Sequence, residues 1–197
     1  MSVKGMKYPV EVLTTAEIKR LFATFRPTMI GDRNRAITAI CLYGQLRVSE
    51  ALDLREDDIN WHEGTILVRC GKGGKRRVVA IMPEFLDELV RPWDRCRPHP
   101  ESEFYFTTRK GRQLEYHNYR EALHRAGRKA KIKKRLNTHC LRHSGAMIIA
   151  GALRKGRVDM RHIQQQLGHS CLATTAIYIS NLDPRETLDA MRGVDWR

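Results

Sequence analysis

The stretch TILVRCGKGGKRRVVAIM, residues 65–82, decides the fold. Two runs rich in β-branched residues, TILVRC (65–70) and RVVAIM (77–82), flank the glycine-rich connection GKGGKR. Branched side chains suit a pleated, half-buried surface, and glycines supply the turn, so the stretch predicts a β-hairpin. Helical periods dominate on both sides of it. The chain is therefore expected to be mainly α with one small antiparallel β-sheet (an α+β fold).

Upstream, Thr14-Thr15-Ala16-Glu17 is a capping box before the apolar-periodic IKRLFATF, which predicts a helix to about Phe25. Asp32 can cap a second helix through AITAICLY, with Gly44 as its stop, and Ser49 with Glu50 opens a short third one after QLRV. Downstream, Pro83 suits the first turn of PEFLDELV, and EFYF (103–106) reads as extended. A helix is expected from about Tyr116 to Ala130. Thr138 can cap HCLRHSGAMIIAGAL, RHIQQQL stops at Gly168, and CLATTAIYI follows. Asp183-Pro184-Arg185-Glu186 starts a last helix through TLDAM. The expected organisation is an N-terminal arm over residues 1–12, one domain over 13–182 and a tail helix over 183–197.

The 197 residues carry 36 Lys and Arg against 22 Asp and Glu, a formal net charge of +14. A domain this basic must gather cations on shared faces, and a polyanion such as nucleic acid is the natural partner. Charge for solubility, or for a ribosomal or membrane surface, is the alternative. The densest series is Arg120, His124, Arg125, Arg128, Lys129, Lys131, Lys133, Lys134 and Arg135. Five cysteines at wide, irregular spacing, with no C-x-x-C pair, argue against a disulfide framework and a zinc knuckle. The opening MSVKGMKYPVEV lacks an apolar leader, and no apolar run reaches membrane length. A reducing cytoplasm, without membrane association, is the expected setting.

Several residues can do chemistry. In THCLRH, His139 and Arg142 are three apart and share a helix face. A proton-moving His and a bidentate Arg would then serve one space; a surface pair on a basic helix is the plainer alternative. His143 and Cys140 hint at a metal, but no fourth ligand follows at sensible spacing, so neither metal nor cofactor is expected. Arg47 sits between a helix stop and a helix start. It is aimed at an anion or paired with Glu50. Lys72 and Lys75 on the hairpin turn could protonate a leaving oxygen, or could simply be solvated. Asp57-Asp58 reads as a surface pair. In LGHSCLATTAIY (167–178), Tyr178 lies nine positions after His169 and is either packing or a nucleophile. A phenol titrates near ~10. Neighbouring cations would favour its ionised form and stabilise charge in a phosphoryl-transfer transition state. Tyr178 with Arg47, Lys72, His139, Arg142 and His169 makes a self-consistent set of nucleophile, phosphate clamps, proton donor and proton acceptor.

In this order LRVSEALDL, GKGGKRRVVAIMP, HCLRHSGA and LGHSCLATTAIY resemble the tyrosine recombinase (phage integrase) family, from about Leu13 to Ser180. The resemblance implies the family's catalytic-domain fold and a site-specific DNA recombinase that needs neither ATP nor metal. Arg47 and Arg142 would bind the non-bridging oxygens of the scissile phosphate. Lys72 would be the general acid for the 5′-oxygen, with Lys75 as its substitute. His139 would serve the tyrosine as acid and base, His169 would hydrogen-bond the phosphate, and Tyr178 would form a 3′-phosphotyrosyl link. Glu50 matches a supporting carboxylate. Double-stranded DNA is the implied partner, with Lys75, Arg120, Arg125, Arg128 and Lys129 on its phosphates and a tetramer spanning two sites. The tail helix, with Leu188, Met191 and Trp196, would dock on its own domain or on a neighbouring protomer. Most members carry a preceding DNA-clamping domain. The short layout resembles the recombinases that invert fimbrial promoters, or a piece of a longer integrase. Two rival readings are a DNA-binding regulator without turnover and a type IB topoisomerase-like enzyme.

Overall fold

Helix α2, Met29–Tyr43, runs through the centre because it is apolar on nearly every side: Ala36, Ile37, Ala39, Ile40, Cys41 and Leu42 are all fully buried. It belongs to a computed structural model that describes residues 11–71, 76–154 and 159–168, with the backbone alone for Ala152, Leu153, Arg154 and Met160. The helix starts earlier than expected. Thr28, not Asp32, caps it, accepting the Gly31 N–H at 3.2 Å, while Asp32 sits in the first turn and pairs with Arg35 at 2.8 Å. Before it, α1 (Thr15–Phe22) has the predicted capping box but ends three residues short of Phe25. After it, Gly44 ends α2, Gln45 takes a left-handed φ of 49°, and α3 (Val48–Leu52) begins with Arg47, not Ser49, at its cap position.

The hairpin is present, and a third strand joins it. β1 (Ile59–Asn60), β2 (Thr65–Val68) and β3 (Arg77–Ala80) form an antiparallel sheet in that order, with Ile66 opposite Val79 and Val68 opposite Arg77. Ile66, Val68 and Val79 face the core. The expected Asp57-Asp58 surface pair needs correcting: Asp58 is buried and holds Arg69 Nε at 2.7 Å and the Arg55 N–H at 2.9 Å. α4 (Pro83–Phe85) continues through a π-helical turn (Leu86–Val90) into α5 (Arg91–Cys96), beyond the Val90 limit suggested by the sequence. Residues 103–106 are not a strand. They are held by Tyr105 N–H to Leu54 O at 2.7 Å and Trp93 Nε1–H to Tyr105 O at 3.1 Å.

α6 (Tyr116–Lys129) follows the expected bounds, and its Tyr119 hydroxyl meets Thr38 on α2 at 3.0 Å. α7 (Thr138–Arg154) is capped by Asn137, whose Oδ1 accepts the Cys140 N–H at 2.9 Å, not by Thr138. The end of the N-terminal arm is fastened to this helix: Ser144 Oγ accepts the Leu13 N–H, and Cys140 Sγ donates to Glu11 O. α8 (Met160–Leu167) is capped by Asp159 and ends, as predicted, at Gly168 with φ 60°. Gln166 fixes α8 to the sheet. Its amide accepts from Ala80 N–H at 2.9 Å, donates to Ala80 O at 2.6 Å and also reaches Gly44 O at 3.2 Å.

α7 crosses α2 at Gly145, where an added Cβ would lie 1.8 Å from Leu42 O. Backbone cannot yield as a flexible side chain does, so the helices would have to part. Gly145→Ala is expected to destabilise the protein by about 1–3 kcal/mol in urea unfolding. Gly151→Ala, on the same helix with nothing within 4 Å among the described residues, is expected to be neutral or stabilising by up to ~1 kcal/mol.

Candidate active site

Glu50, in the first turn of α3, is buried at 6% exposure and gathers three guanidinium groups. Arg47 donates its backbone N–H to Oε2 at 2.8 Å and Nη1 to Oε1 at 2.7 Å. Arg77, the first residue of β3, makes a two-pronged pair, Nη1 to Oε1 at 2.9 Å and Nη2 to Oε2 at 2.7 Å. Arg142, from α7, stands 3.7 Å from Oε2. Burial works to raise the Glu50 pKa. Hydrogen bonds from Arg77 and Arg47 and the Arg77 charge outweigh it and hold the carboxyl at about 2, below its ordinary 4.5. Three cations around one carboxylate leave an excess of positive charge, which suits a phosphodiester anion.

Arg142 owes its position to two helix ends. Its Nη1 donates to Gln45 O at 2.5 Å, and Nη2 donates to Leu167 O. The left-handed Gln45 turns that carbonyl inward, and its own side chain closes the end of α2 through Leu42 O and Tyr43 O. Arg47 is less enclosed than Arg142, with 27% of its side chain exposed against 6%. The alternatives for Arg47 therefore coincide: it pairs with Glu50 and still presents guanidinium surface.

His139 is exposed on the first turn of α7, one turn before Arg142. Burial, then the charges of His139 and Arg142, pushes the His143 pKa below its ordinary 6.5. Cys140 turns away from this group toward Glu11, so His139, Cys140 and His143 do not converge as metal ligands. Lys72, Lys75, His169 and Tyr178 lie outside the described residues. The chain reaches His169 from Gly168, which abuts Arg77: an added Cβ would lie 2.8 Å from Arg77 Cδ.

The sequence motifs did not single out Arg77. A signal was there: Arg77 shares strand parity with the buried Val79, and a charge on an inward face needs a partner. On α6, Arg125, Arg128 and Lys129 are exposed opposite the buried Tyr119, Leu123 and Ala126. Arg120 differs. It lies at the edge of the buried face, half-exposed, with Glu121 3.6 Å away. Lys134 is not available to a phosphate as the basic series suggested; it bonds Glu17 at 2.7 Å and Val12 O at 2.6 Å.

The family model described as "Phage integrase family" matches residues 11–185. Tyrosine recombinase XerA of Thermococcus kodakarensis is 41% identical over 172 residues, covering 85% of this chain and 57% of that protein. The chain thus spans little more than half the length of the curated relatives it matches. A crystal structure of XerA recombinase superposes with a TM-score of 0.76 at 28% identity, over 97% of this chain and 68% of that one. XerH site-specific recombinase bound to difH substrate, in a pre-cleavage complex, gives 0.75 at 27% identity, over 94% and 55%.

Because the Glu50 carboxyl stays ionised down to about pH 2, its pairing stabilises the fold above the ordinary value of 4.5. That contribution is lost as pH falls from 4.5 through 2. Glu50→Gln is expected to unfold more easily at neutral pH and to show a shallower loss of stability across that window. Denaturant midpoints at a series of pH values measure both.

Proposed function

We propose that this chain, which belongs to the phage integrase family, cleaves and rejoins strands of double-stranded DNA at specific sites through a covalent link at Tyr178. The observation that carries the proposal is the convergence of Arg47 and Arg142 on Glu50. Two guanidiniums held at one carboxylate can each take a non-bridging oxygen of a phosphodiester. The Tyr178 phenol oxygen attacks phosphorus and its proton passes to His139. The bond from phosphorus to the 5′-oxygen breaks, and Lys72 protonates that oxygen while His169 hydrogen-bonds the phosphate. Attack by a 5′-hydroxyl on the 3′-phosphotyrosyl bond reverses the sequence. One phosphoester is exchanged for another, so neither ATP nor a metal is called for. The exposed face of Arg125, Arg128 and Lys129 would meet further phosphates, with strong salt dependence.

The setting is the cytoplasm of a prokaryotic host, and strand exchange takes a tetramer on two DNA sites. The tail over 183–197 would dock on a neighbouring protomer. A cavity of about 330 Å³ lined by Tyr43, Ile81, Met82, Phe85, Ile148 and Ile149 offers an apolar acceptor, and Met82 and Ile148 are more than half exposed.

A nicked duplex that traps the cleaved strand tests the chemistry. Wild-type protein is expected to become bonded to DNA, and Tyr178→Phe to bind DNA without forming the adduct. Arg142→Lys keeps charge but loses the fork, and is expected to slow cleavage ~10²-fold or more. Tight binding with no adduct would identify a regulator, and relaxation of supercoils without site preference a topoisomerase. For assembly, Met82→Glu with Ile148→Glu is expected to reduce synapsis of two sites in native gels while sparing single-site cleavage.

A further inference from the structure

We infer that Arg77 is a positioning residue of this site, setting the Arg47 and Arg142 guanidiniums through Glu50; the inference rests on the phosphoryl-transfer reading above. Both Glu50 oxygens are gripped by Arg77, at 2.9 and 2.7 Å. A two-point grip fixes the plane of the carboxylate as well as its place. That plane decides where Arg47 Nη1, 2.7 Å from one oxygen, and Arg142, 3.7 Å from the other, can lie.

Arg77 also touches the second element that holds Arg142. Its Cδ and Nε pack against Gly168, the residue after the Leu167 whose carbonyl accepts from Arg142. The side chain is only 10% exposed. A charge so enclosed is costly unless it is paired, so it does not serve as ordinary surface charge. Its Nη1 and Nη2 are both turned to Glu50. Nε is buried without a hydrogen-bond partner among the described residues, on the side facing Gly168. Arg77 thus links the sheet, α3 and the end of α8 around one carboxylate.

The test uses the full chain and the nicked duplex, with adduct formation followed in a single turnover at saturating DNA. Arg77→Met is expected to slow that step by about 10- to 10²-fold, the scale of a small misplacement of reacting groups. DNA affinity should change less than about twofold, because the phosphate face of α6 is untouched. Arg77→Lys, with charge but no fork, should recover part of the rate, and it supplies the measurement if Arg77→Met fails to fold. Adding Glu50→Gln to the Arg77 variant should slow it no further than the slower single change, since both act in one chain of contacts. A duplex with sulfur in place of the 5′-bridging oxygen gives a leaving group that needs no protonation. It should restore Lys72→Ala but not the Arg77 variants.

Folded Arg77 variants that cleave at the wild-type rate would overturn the inference. So would additive losses with Glu50→Gln, or restoration by the sulfur substrate, which would place the effect on Lys72. A wild-type protein that never bonds to DNA would remove the functional reading and this inference together. A wild-type adduct with normal Arg77 variants removes the inference alone.

Discussion

One enclosed carboxylate organises the region around the site. Glu50 can remain ionised at 6% exposure because Arg47 and Arg77 bond it directly and Arg142 stands nearby. The dependence runs both ways. Without the carboxylate, three cations from α3, β3 and α7 would repel one another in a space that screens poorly. Without the arginines, the carboxylate would have to take up a proton or pull toward water. Neither half is stable in place alone, so a short helix, a strand and a long helix are bound to a common point. The cost of enclosing the charges falls on the fold, and the surplus of positive charge is what remains for a ligand.

The same region shows how helix ends serve a site. Arg142 is held by the carbonyl of Leu167, at the end of α8, and by that of Gln45, in the turn just beyond α2. Carbonyls at a helix C-terminus lack intrahelical partners and carry partial negative charge. A guanidinium satisfies them and is aimed by them at once. The close crossing at Gly145 brings α7 near enough to α2 for Arg142 to reach the first of these.

Much of this is legible in the sequence. The hairpin, α1 and the stop at Gly168 followed from local chemistry: branched residues around glycines, a capping box and a glycine at the end of an apolar-periodic run. What failed did so for tertiary reasons. Thr28 and Asn137 each competed with a neighbour of similar capping power, Asp32 and Thr138, and the winner depends on where packing starts the helix. Residues 103–106 have strand-like composition, but among the described residues they have no strand to pair with and bond to Leu54 and Trp93 instead. Of the expected residues, Arg47, Glu50 and Arg142 are brought together in the structure, and His139 stands one turn before Arg142 on α7. Arg77 escaped because its importance lies in a pairing 27 residues distant, which no local pattern announces.

Gln166 has a further consequence. Among the described residues, β3 lies at the border of a three-stranded sheet, and such borders invite unwanted pairing with other chains. The Gln166 amide accepts from and donates to the backbone of Ala80, as a neighbouring strand would. One side chain thereby stands in for a fourth strand at that position. The helix that also fixes Arg142 thus covers the outer edge of β3 at Ala80, so protection against misassembly and the placing of that guanidinium share a single structural element.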